Sequence, residues 1–290
     1  MPTKKVFMLL LKKSKTTAFF LICFLSAFLL SCGVKAQSGN DKPVYIAVNY
    51  IRTQPGKFRD YLDLLKNYSR KVWEYNFKQG KSLGTYVNSM ILPSGSSADY
   101  DITVITVSTD LKFLLDDSLS AQMMLKKLNP EYSDSYIQSI GDQFLHVRSL
   151  VKREIFTALA EINPTAPPTK YYTTDYMKAT TGKEDDYVKL EKEVWMPIHK
   201  ERIKLGVLTD WALAQKYMPY SSKDPYDYAT FNFFNDINFL QDSKYTEAIK
   251  KAFPNVDINK SLDSTNASRT IVKEELWKLE FYIDATNTKK

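Results

Sequence analysis

The chain has 290 residues, 44% of them hydrophobic and 25% charged, the balance of a soluble globular protein with room for one large domain or two ordinary ones. Its formal charge of +7 is concentrated at the start, where Lys4, Lys5, Lys12, Lys13 and Lys15 precede any acid; without them 35 basic residues face 33 acidic ones, a net +2. A body so close to neutral gives no electrostatic reason to expect nucleic acid as a partner.

Those lysines open a leader. The run from Thr17 to Leu30 is almost wholly apolar. It has the length of a secretory signal core and falls short of the ~20 apolar residues that a spanning helix needs. Two processing sites compete within a leader spanning residues 1–36. Leu29-Leu30-Ser31-Cys32-Gly33 resembles a bacterial lipobox, in which Cys32 would be lipidated and become the new N-terminus. Val34-Lys35-Ala36 before Gln37 reads as a small-x-small site for ordinary cleavage. The lipobox is favoured, and it implies a lipoprotein tethered to the bacterial membrane. Cys23 and Cys32 are the two cysteines of the chain, so the body has no disulfide and no cysteine chemistry.

In the body, Val44 to Ile51 is β-branched and aromatic and reads as a strand. Thr53-Gln54-Pro55-Gly56 breaks it. Phe58, Tyr61, Leu62, Leu65, Tyr68 and Val72 then recur at helical spacing, and Gly80 is placed to cap that helix. Tyr86 to Leu92 and Tyr100 to Val107 read as strands around a turn at Pro93-Ser94-Gly95. Phe113 to Leu128 reads as a second helix, and Val147 to Phe156 as a fourth strand. The order β-α-β-β-α-β is the ferredoxin-like unit.

A shift of 126 residues brings the chain onto itself. Tyr45 meets Tyr171, Tyr50 meets Tyr176, Gly56-Lys57 meets Gly182-Lys183, and Lys78 and Gly80 meet Lys204 and Gly206. Later the shift becomes 121, and Arg148 to Phe156 meets Arg269 to Trp277. A period of this length is that of a whole domain. The expected units are 44–160 and 170–284, joined by the proline-rich linker 161–169. In the second unit, strands are expected at 171–178, 209–217, 228–234 and 271–283. A helix is expected at 184–205, kinked at Pro197, where the first unit has Lys71.

This order, with Glu193-Val194-Trp195-Met196-Pro197-Ile198-His199, Arg202 and Gly206 followed by Trp211, resembles the dimeric α/β-barrel proteins. These include the antibiotic-biosynthesis-monooxygenase-like and NIPSNAP-like groups. The resemblance implies an α+β fold in which two tandem ferredoxin-like units place their sheets together as one intrachain barrel. The superfamily holds oxygenases, haem-binding enzymes, isomerases and proteins of no known activity, so the fold alone does not name a reaction or a cofactor.

Candidate site residues gather in the second unit. His199 suits a general base or a haem ligand, although the aligned first-unit residue, Trp73, also fits a packing position. Arg202 follows three residues on and suits an anion or a surface carboxylate. Trp195, Trp211 and Tyr217 suit the wall of a cleft or a core. Asp175, aligned with Asn49, adds an ionisable group, and His146 in the first unit is a lesser candidate. There is no phosphate loop, no G-x-S-x-G elbow, no H-E-x-x-H and no Cys/His cluster. Two functions are therefore carried forward. One is a cell-envelope module that binds a small apolar or aromatic molecule or a partner. The other is a barrel-superfamily enzyme, cofactor-independent or haem-dependent and oxygenase-like, with its cleft between helix 184–205 and the second sheet.

Overall fold

The computed structural model describes residues 42–116 and 121–287; the leader, with Cys32 and both processing sites, lies outside the described residues. Eight strands form: β1 (Tyr45–Thr53), β2 (Gly84–Leu92), β3 (Ile102–Ser108), β4 (Arg148–Glu161), β5 (Tyr171–Ala179), β6 (Asp210–Met218), β7 (Tyr228–Phe234) and β8 (Arg269–Asp284). They close into one antiparallel barrel in the order β1-β3-β2-β8-β5-β7-β6-β4. Each unit keeps the strand order of a ferredoxin-like sheet, and the tandem α/β barrel expected from the sequence is the fold. Closure removes the free edges that an open sheet would expose.

The barrel is sealed by its two long strands. β4 pairs with β1 through Arg148–Thr157, and its later half, from Ile155 to Glu161, pairs with β6 of the other unit. β8 does the same with β5 and then β2. The strand alternation sorts side chains onto two faces. Val48, Tyr50, Phe156, Tyr172, Tyr176 and Trp277 fill the barrel. Ala47 and Ile51 point the other way, toward helical residues such as Leu114 in one cluster and Tyr61, Leu62 and Leu65 in another.

The first helix of each unit has the same irregularity. Helix 58–78 passes through a π turn at Leu65–Ser69, and helix 184–204 through one at Glu191–Trp195. Here the structure corrects the expectation for Pro197. The widened turn occurs in both units, so proline is not its cause, and the helix continues past Pro197 to Lys204. Pro197 stands directly after a turn in which the ladder is already shifted to i→i+5 bonding, where its missing N–H is tolerated. Both helices end at a glycine with positive φ, +67° at Gly80 and +76° at Gly206, as the caps predict. The single second helix expected from 113 to 128 is instead two, Leu111–Leu115 and Ala121–Leu128. They are followed by a further helix, Asp134–Val147, beyond the expected elements. Ser133 caps it by accepting from the Tyr136 N–H at 3.1 Å, and Ile137 and Ile140 bury its inner face. Among the described residues no helix is long and apolar enough to cross a membrane.

Candidate functional site

In the second unit, helix 184–204 lies on the outer face of its sheet and carries His199 and Arg202 one turn apart, both buried. The His199 ring stacks on Trp211 of β6, centroids 5.1 Å apart and planes at 15°. Arg202 donates from Nη1 to His199 Nδ1 at 2.9 Å and from Nε to the Ser243 carbonyl at 2.9 Å. Its guanidinium lies 3.8 Å over the Tyr245 ring. A longer bond of 3.4 Å reaches Asn232 Oδ1, and Asn232 Nδ2 in turn donates to Asp175 Oδ2 at 3.2 Å. Four of the sequence candidates, His199, Arg202, Trp211 and Asp175, therefore do come together, joined by an asparagine that had not been singled out. Trp195 stands at their edge, 6.2 Å from the His199 ring and donating to Thr265. Tyr217 is apart from them, exposed and edge-on to Tyr45. His146 is on the surface of helix 134–147, its Nδ1 2.6 Å from the Asp142 carbonyl.

The chemistry of this cluster is that of a filled core. A guanidinium can only donate, so His199 Nδ1 accepts and the neutral ring carries its proton on Nε2. Burial, and then the Arg202 charge, hold the His199 pKa well below the ordinary histidine value. The same arrangement argues against haem. A ligating histidine normally donates its second N–H to an acceptor, whereas this one faces a cation. Both faces of the ring are also crowded, by Trp211 on one side and by Trp195 and Tyr245 nearby. The residues present do not fit an iron ligand here, and the aligned first-unit residue is Trp73. Among the described residues no cluster of three metal-ligating side chains occurs. Asp175 is pushed up to about 7 by burial and by the Glu274 charge, and Glu191 to about 7 chiefly by burial.

The helix–sheet space of the first unit is built differently. Where the second unit has Trp211, His199, Arg202, Asp175 and Asn232, the first has Thr85, Trp73, Asn76, Asn49 and Thr106. All five are uncharged, Thr85 and Asn76 are smaller than their counterparts and Trp73 is larger, and a cavity of about 200 Å³ lies beneath helix 58–78, walled also by Val72, Phe113 and Met124. Ser82, 4% exposed, lies on this lining with its Oγ buried and without a hydrogen-bond partner. Arg153, which donates to the Leu114 carbonyl, and the exposed Lys81 and Asp116 bring charge to the lining. The structure thus moves the candidate cleft. It was expected under helix 184–205, where Trp211, His199 and Arg202 are buried against one another, and a cavity lies at the equivalent place in the first unit. A shallower groove of about 520 Å³ lies between the start of helix 58–78 and helix 134–147, bordered by Lys57, Asp60, Asp142 and His146.

A second polar constellation, inside the barrel, escaped the sequence reading. Tyr50 and Tyr176 meet hydroxyl to hydroxyl at 3.2 Å. Tyr226 donates to Glu154 at 2.6 Å and Tyr100 to Glu275 at 2.5 Å. Lys152 and Lys273 lie 4.3 Å over the Tyr50 and Tyr176 rings. Every member has its counterpart in the other unit, so the set is a duplicated core network. The alignment of Lys152-Arg153-Glu154 with Lys273-Glu274-Glu275 was its signal: in both strands a lysine and a glutamate two residues apart share the face of the apolar Phe156 and Trp277. The symmetry is broken at one point. Lys216 pairs with Glu154 at 3.0 Å and with Asp224 at 3.0 Å, whereas the aligned first-unit residues are Met90 and Ala98, and Glu275 Oε2 is left without a partner.

No family model matches the sequence, and no curated protein matches it either. Solved structures do match in shape. A candidate monooxygenase from Fusobacterium nucleatum subsp. nucleatum aligns over 85% of this chain and 96% of its own, with 10% identity and a TM-score of 0.50. A candidate chlorite dismutase covers 82% of this chain and 95% of its own at 14% identity and a TM-score of 0.46. A haem-binding protein from Thermus thermophilus covers 82% and 91% at 10% identity and a TM-score of 0.45. At such identities the likeness is one of fold: the body of this chain is built as a tandem ferredoxin-like α/β barrel, as these proteins are.

Proposed function

We propose that this chain is a cell-envelope protein that binds a small organic molecule in the helix–sheet cavity of its first unit. The observation that carries this reading is the roughly 200 Å³ space bordered by Ser82, whose buried hydroxyl has no partner and would reach a ligand by a turn of its side chain. A buried hydroxyl without a partner costs about 1–3 kcal/mol, and a ligand or an ordered water recovers it. The volume is below the ~300 Å³ at which drug-sized pockets begin and above the ~150 Å³ that admits benzene, so the molecule is small. Support for the envelope comes from the leader, whose Cys32 would carry the lipid. Intact mass of membrane-extracted protein tests that part: a lipidated chain beginning at Cys32 is expected, and an unlipidated chain beginning at Gln37 would refute it.

Native mass spectrometry of the purified body tests the binding part. A co-purifying small molecule is expected on the wild type and absent from Thr85→Trp, which places in the first unit the ring that fills the second. A second reading, an oxygenase-like enzyme, is favoured by the likeness in fold to a candidate monooxygenase. The carboxylate among the cavity's lining residues is then Asp116, at its rim. Oxygen uptake in the presence of the bound molecule separates the two: turnover abolished by Thr85→Trp supports the enzyme, and its absence leaves a binding protein.

A further inference from the structure

The second unit shows in its own side chains what the first unit's cavity is shaped to hold. Helices 58–78 and 184–204 have the same length, the same π turn and the same glycine cap, and β2 and β6 occupy equivalent places in the barrel. The backbones therefore frame equivalent spaces. In the second unit the indole of Trp211 lies flat in that space, stacked on the ring at position 199. In the first, the equivalent of Trp211 is Thr85, while the equivalent of position 199 remains a flat ring, Trp73. The indole has been removed and the surface it would stack on has been kept.

Most of the polar groups around that space have lost charge, and Arg153, in the place of Glu274, is the lining residue that departs from this trend. Arg202 and Asp175, which bring opposite charges to the second unit's packed layer, are replaced by Asn76 and Asn49, and Leu208 by Ser82. Their amides and hydroxyls, with Thr106, suit the edge of an uncharged ring that carries its own hydrogen-bonding atoms. Burying an ion against them would leave its charge uncompensated.

We propose that the first-unit cavity takes a neutral, planar, bicyclic heteroaromatic molecule of about indole size, stacked on Trp73 and hydrogen-bonded at its edge by Ser82. This rests on reading the cavity as a ligand site, and it adds the class of ligand. A single ring would leave part of the volume empty, three fused rings would exceed it, and the lining cation opposite Asn49, Arg153, already donates to the Leu114 carbonyl.

The test is a binding panel on the wild-type body by thermal shift and calorimetry. It uses indole, benzimidazole and 2-quinolone as neutral bicyclics, with phenol, anthraquinone, indole-2-carboxylate and decanoate as the other classes. Neutral bicyclics are expected to bind at least tenfold more tightly than every other class. Thr85→Trp is expected to lose that binding, whereas Thr85→Ala, which keeps the space open, retains it. Should Thr85→Trp fail to fold, Trp73→Leu on the same panel replaces it, with loss of the preference for flat rings expected. Tighter binding of anionic or aliphatic probes that is still blocked by Thr85→Trp would overturn the ligand class and leave the site standing. Binding of no probe in the panel, or binding indifferent to both Thr85→Trp and Trp73→Leu, would overturn the site itself.

Discussion

The two helix–sheet layers of this barrel share a backbone plan and differ in what fills them. In the second unit Trp211, His199 and Arg202 are each at most 4% exposed and form one stacked, hydrogen-bonded block. In the first, Thr85 is as deeply buried, at 2% exposed, but Trp73 and Asn76 are half-buried and border a cavity. A pair of duplicated domains can thus divide their roles without any change in topology. The copy with more chemically reactive residues is the packed one, and the copy with bland residues has the room. Reactive side chains at a plausible spacing are not evidence of a site until the volume between them is known.

The largest way to break this contrast is to open the filled side. Trp211→Thr gives the second unit the first unit's residue. Removing a fully buried tryptophan side chain is expected to cost roughly 3–5 kcal/mol, measured as a lowered urea midpoint with little change in m. The variant is also expected to gain affinity for indole. A loss of less than about 1 kcal/mol would show that the second layer is looser than its packing indicates.

Charge is the next difference. Asp175, pushed up to about 7, is an unfavourable carboxylate in the folded chain. An unfolded aspartate ionises near 4, so between about pH 4 and pH 7 the folded state binds the extra proton, and stability falls as pH rises through that window. Glu191, also near 7, acts in the same direction. His199 acts in the opposite one: its folded pKa lies below the unfolded value near 6.5, so it destabilises the fold as pH falls below 6.5. Asp175→Asn, the first unit's residue, is expected to remove one proton's worth of slope, roughly 1.4 kcal/mol per pH unit across the window. Urea melts of both proteins at pH 4.5, 6 and 7.5 give the two slopes; parallel curves would show that Asp175 is ionised in the fold throughout.

The smallest effect concerns Ser82. Ser82→Ala removes the buried, unpartnered hydroxyl and is expected to stabilise the chain by about 1 kcal/mol in the absence of added probe while weakening the bicyclic probe several-fold. A destabilised variant would show that the hydroxyl has a partner in solution, such as an ordered water.

Much of the fold was legible because its signals are local. Alternation at 44–51, the helical stripe from Phe58 to Val72, the glycines at 80 and 206 and the proline-rich linker each follow from the residues beside them. The candidate cluster was half legible for the same reason: a helical spacing of three puts His199 and Arg202 together, and the repeat pointed to Trp211 and Asp175. Asn232, which links Arg202 to Asp175, was missed because it joins them only through strand pairing. The helix at 134–147 was missed although Ser133 and the spacing of Ile137, Ile140 and Phe144 mark it.

By itself, the sequence determined the strands, the first helix of each unit, their duplication and the α+β class, since propensity, periodicity and repetition act over neighbouring residues or whole domains. Only the tertiary structure decided that β4 and β8 cross over to seal one barrel, that Lys152 and Glu154 with their counterparts Lys273 and Glu275 turn into its interior, and that the open volume lies beside Thr85 rather than beside Trp211. A cavity is the difference between the space a backbone encloses and the volume of side chains brought from distant strands and helices. That difference is set by close packing in three dimensions, and no stretch of adjacent residues contains it.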